Sequence, residues 1–584
     1  MKYKSYKQVI AIIMLCTISL FSAQWDGEIS KPEYQSIRDT SYFLIHTPEE
    51  LAWFVTEVNS GLDIASYRYK LKYNARLMND IVIWEGEVDS LETPQWQSMG
   101  GSLGFGGIFD GAGFSIEGIN MSSTSVAFIY TLTNSGSIRN LTIKNSLFAG
   151  PGARASFVAY NKGTIQGVTL LNSKILRANS AGGIVGTNYG KVSNVRNMGG
   201  KIEAISAEAS KTIYAAGIVA ENNGTVDSAY NSSDVLTTQS NSYMTSYAGG
   251  IVGWNNITSS NVQFAYNQGT ISANSNSPSG KVFIGGIIGD NWSSASFIRN
   301  DGDVHLEAVN CNDEFVGGII GQNGQENYYD SIAQVSNMEN HGRVTTNTTS
   351  SSGSPDIYVG GIVGGNSGTI NNAANFAQIT ATNSNSHGFL SVGSLGGMNA
   401  YGKIKNSFAA GDSVQAGSGE KVYVGSISAN GKHENCYYDK TVNPSQSMFG
   451  RVYQASDTVA VSAMETAEMK TTSFTEVLNT NNQTTESSKI WTRTSEYPFI
   501  AALTNVQRLP IHTSVASPQQ QFIFSISGKK LRIQKNIGHI TVFDLKGNLL
   551  FAGYNDTKET VISLPHTGVY LIRTQGTSHL ILAR

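Results

Sequence analysis

One eight-residue pattern recurs along the middle of this chain and constrains its fold more than any other feature. Near-copies begin at Ala181 (AGGIVGTN), Ala215 (AAGIVAEN), Ala248 (AGGIVGWN), Ile284 (IGGIIGDN), Val316 (VGGIIGQN) and Val359 (VGGIVGGN). Weaker copies begin at Val126, Ala155, Val392 and Val424. Self-similarity at a near-constant period indicates stacked structural units, each of which buries its apolar face only against its neighbours.

The spacing of the copies sets the size of the unit. The residue before the apolar pair falls at positions 127, 156, 183, 217, 250, 286, 318, 361, 394 and 426, so the period is near 33 residues with insertions. No segment shows helical spacing over three turns, and short β-branched runs alternate with Gly and Asn turns. Helical repeats of similar length are disfavoured by the paired glycines. We therefore predict an all-β chain, a right-handed parallel β-helix of about ten coils.

Asparagine occupies a fixed place in the unit. It lies five residues after the marker in eight of the ten copies, at Asn161, Asn188, Asn222, Asn255, Asn291, Asn323, Asn366 and Asn399. A second column is expected at Asn172, Asn197, Asn231, Asn267, Asn300, Asn340 and Asn375. Equivalent residues of a parallel β-coil stack every ~4.8 Å. We predict that the buried amides bond to one another, and that the paired glycines allow close backbone approach at a corner.

The pattern GGIVGxNxGxIxN resembles the GLUG motif of bacterial surface proteins. Residues 45–54, 58–61 and 105–116 resemble the segment that precedes such repeats. Residues 464–470, 478–479, Trp491 and 497–498 resemble the segment that follows them. The resemblance covers about residues 40–505 and implies an extracellular, often adhesin-like β-helix that has no general catalytic site.

A helical cap is predicted before the repeats. Thr47 is placed as an N-cap, Pro48 as the first helical residue, and acidic residues follow in the first turn. The apolar side chains on one face are Leu51, Phe54, Val55 and Val58. We expect this helix to cover the amino-terminal end of the solenoid, where open strand edges would otherwise pair with another chain. The segment after the last coil is expected to cover the other end.

The chain begins with features of a secretory signal peptide. Lys2, Lys4 and Lys7 precede an apolar run over residues 9–21, and cleavage is expected after Ala23. No later run of 18 apolar residues occurs, so no membrane-spanning segment is expected in the mature chain. We therefore expect an exported protein, located outside the cell or at its surface.

The last 65 residues differ in character from the repeats. They contain about seven short alternating strands with Gly and Asn turns, which predict a small antiparallel β-sandwich. Residues 541–547, 564–565 and 567–573 resemble the carboxy-terminal sorting domain of type IX secretion. The resemblance implies the type IX secretion machinery as a partner and passage across the outer membrane.

These features divide the chain into five parts. They are a signal peptide (1–23), an N-terminal cap and start of the solenoid (24–120), GLUG-like β-helix repeats (121–445), a post-repeat segment and linker (446–515) and a β-sandwich sorting domain (520–584). The formal net charge is −3, so we expect no nucleic-acid partner. Cys311 and Cys436 are expected to be two separate thiols, although their pairing in an oxidising compartment stays open. We expect a monomer.

Catalysis is the main alternative, because some parallel β-helices degrade polysaccharides. Hydrolysis needs a pair of carboxylates, and a β-helical lyase needs an acidic calcium site and a base. The nearest acids are Asp301, Asp303, Glu307, Asp313 and Glu314, which we interpret as solvated loop residues. His305, His341 and His387 occur singly. We therefore expect no catalytic residues, no metal and no cofactor.

Aromatic residues beside the first asparagine column are the candidate ligand contacts. Tyr160, Tyr189 and Trp254 are expected to repeat on one side of the coil. They could stack on sugar rings, but we favour the simpler role of covering the core. The sequence thus favours an attachment or surface-display protein, with glycan as a candidate ligand. A polysaccharide-degrading enzyme and a structural spacer without ligand remain the alternatives.

Overall fold

The computed structural model describes residues 24–506 and 523–583 with gaps. The gaps fall at 64–67, 90, 102, 123–125, 207–210, 241–243, 278–279, 310, 326–331, 350–354, 385–387, 400, 412, 418–420, 445–446, 452–457, 483–488, 528–529, 535–537, 545–548, 556–558, 564–567 and 575–576. The predicted signal peptide lies outside the described residues. The chain divides into two compact units at His512 and Thr513.

The first unit is a parallel β-helix, as predicted. Among the described residues each full coil contributes a strand to sheet 1, then one to sheet 2, then one or two to sheet 3. Sheet 1 contains Ala153–Ala155, Ser180–Gly182, Ile213–Ala216, Ser246–Gly249, Lys281–Gly285, Asp313–Gly317, Asp356–Gly360, Phe389–Gly393 and Lys421–Gly425. Sheet 2 contains Ile129–Leu132, Val158–Asn161, Val185–Asn188, Val219–Asn222, Val252–Asn255, Ile288–Asn291, Ile320–Asn323, Val363–Asn366 and Gly396–Met398.

Sheet 3 is the longest and extends beyond the repeats at both ends. It contains Glu33–Ile37, Thr40–Ile45, Ala75–Leu77, Ile81–Val82, Ile108–Asp110, Ser115–Glu117, Asn120–Met121, Ser137–Arg139, Thr142–Lys144, Leu147–Ala149, Thr164–Gln166, Thr169–Ala178, Lys191–Ser206, Thr225–Asn231, Asp234–Ser240, Asn261–Asn267, Ile271–Asn276, Ser294–Asn300, Val304–Val309, Gln334–Asn340, Val344–Thr349, Thr369–Asn375, Ile379–Asn383, Lys403–Ala409, Val414–Ala416, Lys432–Asp439 and Thr458–Met464. Parallel pairing already begins where Thr40–Ile45 meets Ala75–Leu77. Inward Val, Ile and Leu side chains of all three sheets form one continuous core.

The strand register confirms the sequence period. Sheet 2 pairs each repeat with its predicted equivalent, in the order Ile129, Val158, Val185, Val219, Val252, Ile288, Ile320, Val363 and Gly396. The variable segments lie between strands, from sheet 3 to sheet 1 and, at 324–333, from sheet 2 to sheet 3, so insertions do not disturb the register.

The first asparagine column forms an unbroken ladder of hydrogen bonds. Each side-chain amide Nδ2 donates to Oδ1 of the next asparagine, from Asn161 to Asn399, at 2.6–2.8 Å. All eight side chains are fully buried. Several Oδ1 atoms also accept the backbone N–H two residues later, as Asn161 does from Gly163. The ladder therefore satisfies the buried amides and fixes the turn.

The second column forms a shorter ladder. Asn231, Asn267, Asn300, Asn340 and Asn375 are linked at 2.8–3.0 Å. Asn197 pairs in register with Asn231 and bonds to its neighbour Ser233. The prediction was wrong for Asn172, because Leu170 occupies that register position opposite Asn197.

The paired glycines make room for the second ladder. A Cβ added at Gly250 would lie 2.1 Å from the Gly286 carbonyl oxygen and 2.4 Å from Asn267 Cγ. Equivalent glycines in the adjacent coils would meet Asn231 and Asn300 in the same way. The close approach predicted for these glycines is confirmed, and the ladder amide is the group that approaches.

A third column has left-handed backbone, and the sequence analysis did not identify it. In sheet 3 the residue at one kink has a positive φ in successive coils, at Asn140, Gly167, Asn194, Ser228, Phe264, Phe297, Asn337, Asn372, Asn406 and Asn435. Asn and Gly tolerate this region, whereas a bulky residue is an outlier. Phe264 and Phe297 are such outliers, and their rings stack at 5.0 Å.

The amino-terminal cap forms as predicted. Helix α1 (Pro48–Asn59) begins after Thr47, whose hydroxyl accepts the Glu50 N–H, and its predicted apolar face is buried. Phe54 lies 6.4 Å from the rings of both Phe105 and Phe109, so the helix covers the first coil. The short strands Leu62–Asp63 and Arg68–Tyr69 and a 3-10 turn (Lys70–Lys72) follow it.

The post-repeat segment covers the other end only in part. Strand Thr458–Met464 pairs with Lys432–Asp439 of the last coil, whereas the helices that follow do not cover the end as expected. Helices α2 (Thr466–Met469), α3 (Thr472–Asn481) and α4 (Leu503–Val506), with strands Trp491–Thr492 and Phe499–Ile500, lie along the outer face of sheet 3. Asn482 Nδ2 donates to Asn372 Oδ1 at 2.7 Å, and Asn406 Nδ2 donates to the Leu478 carbonyl. The left-handed column and its two phenylalanines thus provide the docking face, because they supply outward amides and rings.

The second unit contains the seven predicted strands. Ile523–Ser527, Lys530–Gln534 and Glu559–Ser563 form one antiparallel sheet, and Gly538–Asp544, Leu549–Asn555, Gly568–Thr574 and Thr577–Ala583 form another. Leu531, Val542 and Ile562 are buried in this unit. The predicted antiparallel β-sandwich is confirmed.

Replacing one ladder asparagine should destabilise the solenoid. Asn255→Ala leaves the Asn222 donor and the Asn291 acceptor unpaired, and each buried orphan costs about 1–3 kcal/mol. We expect the free energy of unfolding to fall by about 2–4 kcal/mol in urea denaturation followed by circular dichroism. Asn256→Ala, at a half-buried neighbour whose side-chain amide donates to Glu221, is the matched control. Equal effects of the two substitutions would contradict the ladder's role.

The glycine requirement has its own test. Gly250→Ala should destabilise the solenoid by about 3 kcal/mol or more, since the clashing atoms belong to backbone and to a buried amide. Gly417→Ala meets only Thr382, no nearer than 3.3 Å, and should be tolerated. Thermal unfolding of the two variants measures the difference, and a tolerated Gly250→Ala would show that the amide has room to move.

Candidate functional site

The candidate aromatic residues lie on sheet 2, and the structure separates them. Tyr160 and Trp254 share one register position, through Thr187 and Glu221 of the coils between them. Tyr189 lies two residues beyond Thr187, after the asparagine, so the expectation that all three repeat at one place is wrong for Tyr189. Its ring is 55% exposed.

Trp254 belongs to a larger aromatic group that the sequence analysis missed. The outward side chains of sheet 1 form a stack, Tyr214, Tyr247, Phe283, Phe315 and Tyr358, with successive ring centroids 4.9–5.3 Å apart. The Trp254 ring lies nearly parallel to Tyr247 at 5.5 Å, and Trp292 meets Trp254 edge-on at 5.3 Å. The signal was present in the residue two before each Gly pair, which is aromatic in several successive copies.

Glycine brings sheets 1 and 2 close enough for this packing. The second residue of the sheet 2 strands is glycine in most coils, as at Gly253, Gly289 and Gly321. A Cβ at Gly289 would lie 3.0 Å from the Ala248 carbonyl oxygen, and a Cβ at Gly321 would lie 2.7 Å from the Ile284 nitrogen, both atoms of sheet 1. The two sheets therefore meet face to face outside the main core, and aromatic rings fill the seam between them.

Polar groups accompany the rings. Glu221 accepts hydrogen bonds from Asn223 at 3.0 Å and Asn256 at 3.3 Å. Trp292 Nε1 donates to Asp290 at 2.9 Å. We call Tyr160, Tyr189, Tyr214, Glu221, Tyr247, Trp254 and Trp292 the aromatic ledge. It combines flat apolar rings with amide and carboxylate groups, which can contact a ligand through stacking and through hydrogen bonds.

Burial raises the pKa of two ledge tyrosines, Tyr160 and Tyr214. Burial raises the pKa of Tyr214 to about 12, with a smaller contribution from the charge of Glu221. Burial also raises the pKa of Tyr160, and the charge of Glu221 contributes there too. The charge of Glu221 thus acts on both Tyr160 and Tyr214, whose phenols are neutral donors and acceptors.

The acids considered for catalysis are dispersed into separate pairs. Asp301 accepts from Tyr266 and Arg299, Asp303 pairs with Arg343 at 2.7 Å, and Glu307 pairs with His305 at 3.0 Å. Asp313 pairs with Lys281 at 2.9 Å. His341 pairs with Glu339, and His387 lies outside the described residues. Within the described part of the chain, no three His, Cys, Asp or Glu residues are grouped as a metal site would need.

Glu314 is not in a solvated loop, contrary to the sequence interpretation. It points into the core, is fully buried, and accepts from the Thr348 hydroxyl at 2.6 Å. Burial raises the pKa of Glu314 to about 7. The buried thiols Cys311 and Cys436 are separate, as expected, and burial raises the pKa of each to about 12.

A cleft near the cap contains two carboxylates, Glu87 and Glu117. Both are ion-paired, Glu87 to Lys174 at 2.8 Å and Glu117 to Lys144 at 2.9 Å. A hydrogen bond and the charge of Lys174 lower the pKa of Glu87. A general acid needs a raised pKa, so this pair does not favour hydrolysis.

Comparison with known proteins identifies no family for this chain. No protein-family profile and no curated protein sequence matches the chain. A structurally similar solved chain is a Bacteroides ovatus protein described as a candidate immunoglobulin A1 protease. It is 15% identical, the alignment covers 80% of this chain and 94% of that chain, and the TM-score is 0.30. A likeness at this score carries no functional argument. In the described residues no helix is long and apolar enough to span a membrane.

Stability should depend on pH through Glu314. Its folded pKa lies above the unfolded value of 4.5, so its stabilising contribution is complete below pH 4.5 and is lost as pH rises through about 7. Glu314→Gln should therefore stabilise the protein at pH 8 relative to wild type and flatten the decline between pH 5 and 8. Urea midpoints across this range measure it, and an unchanged pH slope in the variant would contradict the assignment.

Proposed function

We propose that this chain is a secreted or cell-surface attachment protein that binds glycan along the aromatic ledge. The observation that carries the proposal is the ledge itself, where the exposed Tyr189 ring, several partly buried rings and hydrogen-bonding side chains line successive coils. Successive coils lie ~4.8 Å apart, so rings on neighbouring coils can contact one extended ligand. Each stacked ring adds both apolar area and orientation.

Binding is favoured over bond cleavage by the state of the acids. The ledge contains one carboxylate that is half-exposed, Glu221, and its two amide partners hold it as an acceptor. Asp290, at the same register position two coils later, is buried and accepts from Trp292. Hydrolysis requires an acid and a base or nucleophile that both reach the substrate. The described residues of the ledge offer acceptors and stacking rings for a ligand.

The proposed location rests on the ends of the chain. A secretory leader over 1–23 and a type IX sorting domain over 520–584 would export the β-helix and deliver it to the outside of the cell. The likeness of the repeats to GLUG surface proteins supports the same destination. The type IX secretion machinery is the proposed partner of the second unit.

Tyr189 gives the cleanest test of the ledge. Its ring is exposed, so Tyr189→Ala should leave the fold intact and weaken binding to the retained polysaccharide at least tenfold, about 1.4 kcal/mol. Trp254→Ala should weaken it further. Retention of the full chain on a panel of insoluble polysaccharides and a glycan array measures this effect. Tyr34→Ala, at a tyrosine 52% exposed on the first hairpin, is the matched control.

Three outcomes would contradict the proposal. Equal weakening by Tyr189→Ala and Tyr34→Ala would show non-specific adsorption. Retention on no polysaccharide would favour a spacer without ligand. Release of new reducing ends from a bound polysaccharide would favour the degrading enzyme.

A further inference from the structure

The cleft near the cap is a second concave surface, with a volume of about 440 Å3. One wall is the loop at residues 86–88, and the other is formed by sheet 3 around Glu117, Asn145, Asn172 and Lys174. The ledge lies on sheets 1 and 2, whereas the cleft opens on the outer side of sheet 3. The two surfaces are therefore distinct.

The cleft lies where the first coils of sheet 3 differ from the later repeats. Gly118, Asn145, Asn172 and Gly199 occupy one register position in successive coils, and all have positive φ, between 47° and 78°. This kink column turns sheet 3 in the first coils. The second asparagine column begins only at Asn197, in the last of these coils. The cleft lies in the part of the solenoid where the kink column is present.

The loop from the cap is seated on this kink. The Trp84 carbonyl oxygen lies 2.0 Å from where a Cβ of Gly118 would be, so only glycine allows the loop to cross there. The Ile83 N–H donates to the Glu117 carbonyl at 2.9 Å and fixes the loop on the strand. The cleft is thus held between two backbone segments rather than between mobile side chains.

Its charged groups are already paired. Glu117 accepts from Asn145 Nδ2 at 2.7 Å and pairs with Lys144 at 2.9 Å, with its side chain only 15% exposed. Glu87 and Lys174 pair across the mouth at 2.8 Å. A cleft whose charges are neutralised in pairs has little attraction for an ionic ligand, yet its carboxylates, amides and ammonium groups remain hydrogen-bonding partners.

We propose that this cleft binds one pyranose unit of a neutral polysaccharide. Vicinal hydroxyls both donate and accept, which matches the carboxylate of Glu117, the exposed amide of Asn172 and the ammonium of Lys174. Leu147 and Val88 provide apolar contact for the C–H face of the ring. The volume falls within the range of about 300–1,000 Å3 that small-molecule sites occupy.

The proposal deepens the attachment function and rests on it, because a site for one sugar on sheet 3 adds a second anchoring point to the ledge. The ledge is expected to bind polymer by stacking over several coils. The cleft is expected to bind a free monosaccharide. This difference separates the failure of one proposal from the failure of the other.

Saturation-transfer NMR of the full chain with free glucose, galactose, mannose, xylose and N-acetylglucosamine tests the cleft. At least one sugar should bind, and Glu117→Gln and Asn172→Gly should each raise its dissociation constant at least fivefold. Glycine tolerates the left-handed backbone of residue 172, so that variant removes the amide without strain. Glu434→Gln, at a glutamate likewise ion-paired to lysine on sheet 3, and Trp254→Ala should leave the constant unchanged.

The alternatives give different results. No binding by any of the five sugars, or equal binding by wild type and both cleft variants, would overturn the cleft. Loss of monosaccharide binding in Trp254→Ala would place the sugar on the ledge and overturn the cleft while supporting the proposed function. If Tyr189→Ala still retains polymer and the cleft still binds a sugar, the proposal that the ledge binds glycan would be contradicted, and the proposal for the cleft would stand. An unchanged thermal unfolding midpoint of Asn172→Gly would show that a loss of sugar binding in this variant is not caused by unfolding.

Discussion

The hydrogen-bonded asparagine ladder is the interaction on which the rest of this structure depends. A parallel β-helix must turn its backbone through sharp corners inside a dry core, where unpaired polar groups are costly. The amide of each ladder residue bonds to the next coil, and its Oδ1 can accept a turn N–H of its own coil, as in Asn161 with Gly163. One residue type thus stacks the coils and closes their corners, which explains why it recurs while loop lengths vary.

The glycines follow from the same constraint. Gly250 and its equivalents leave space for the second ladder, and Gly253 and its equivalents let sheets 1 and 2 meet. The consequence of that close approach is the seam in which Tyr247 and Trp254 pack. The surface proposed to bind glycan therefore depends on the glycines that form the corner. Its rings are positioned by the same backbone segments that enclose the core.

The sequence was sufficient to predict features that repeat and insufficient for those that break the repeat. The coil register, the first ladder and helix α1 follow from patterns with a direct physical meaning. The docking of helices α2–α4 along sheet 3 was missed because it depends on a departure from the repeat. Phe264 and Phe297 occupy left-handed positions where most other coils have Asn. Glu314 was misplaced because it lies in a strand, where successive side chains point to opposite faces. Asp313 faces outward and Glu314 therefore faces the core, although both are acidic. Tyr189 was misplaced by counting from the asparagine rather than by register.

Hydrogen exchange of the turn amides tests the central claim most directly, in the unmodified protein. The N–H groups of Gly163, Gly190 and Gly224 donate to ladder side chains at 3.0–3.2 Å. If the ladder fixes the corners, these turn amides should be protected to the same degree as the neighbouring strand amides, as measured by mass spectrometry of peptides that span them. Exchange as fast as that of an unstructured peptide would show that the corners open independently, and would contradict the account.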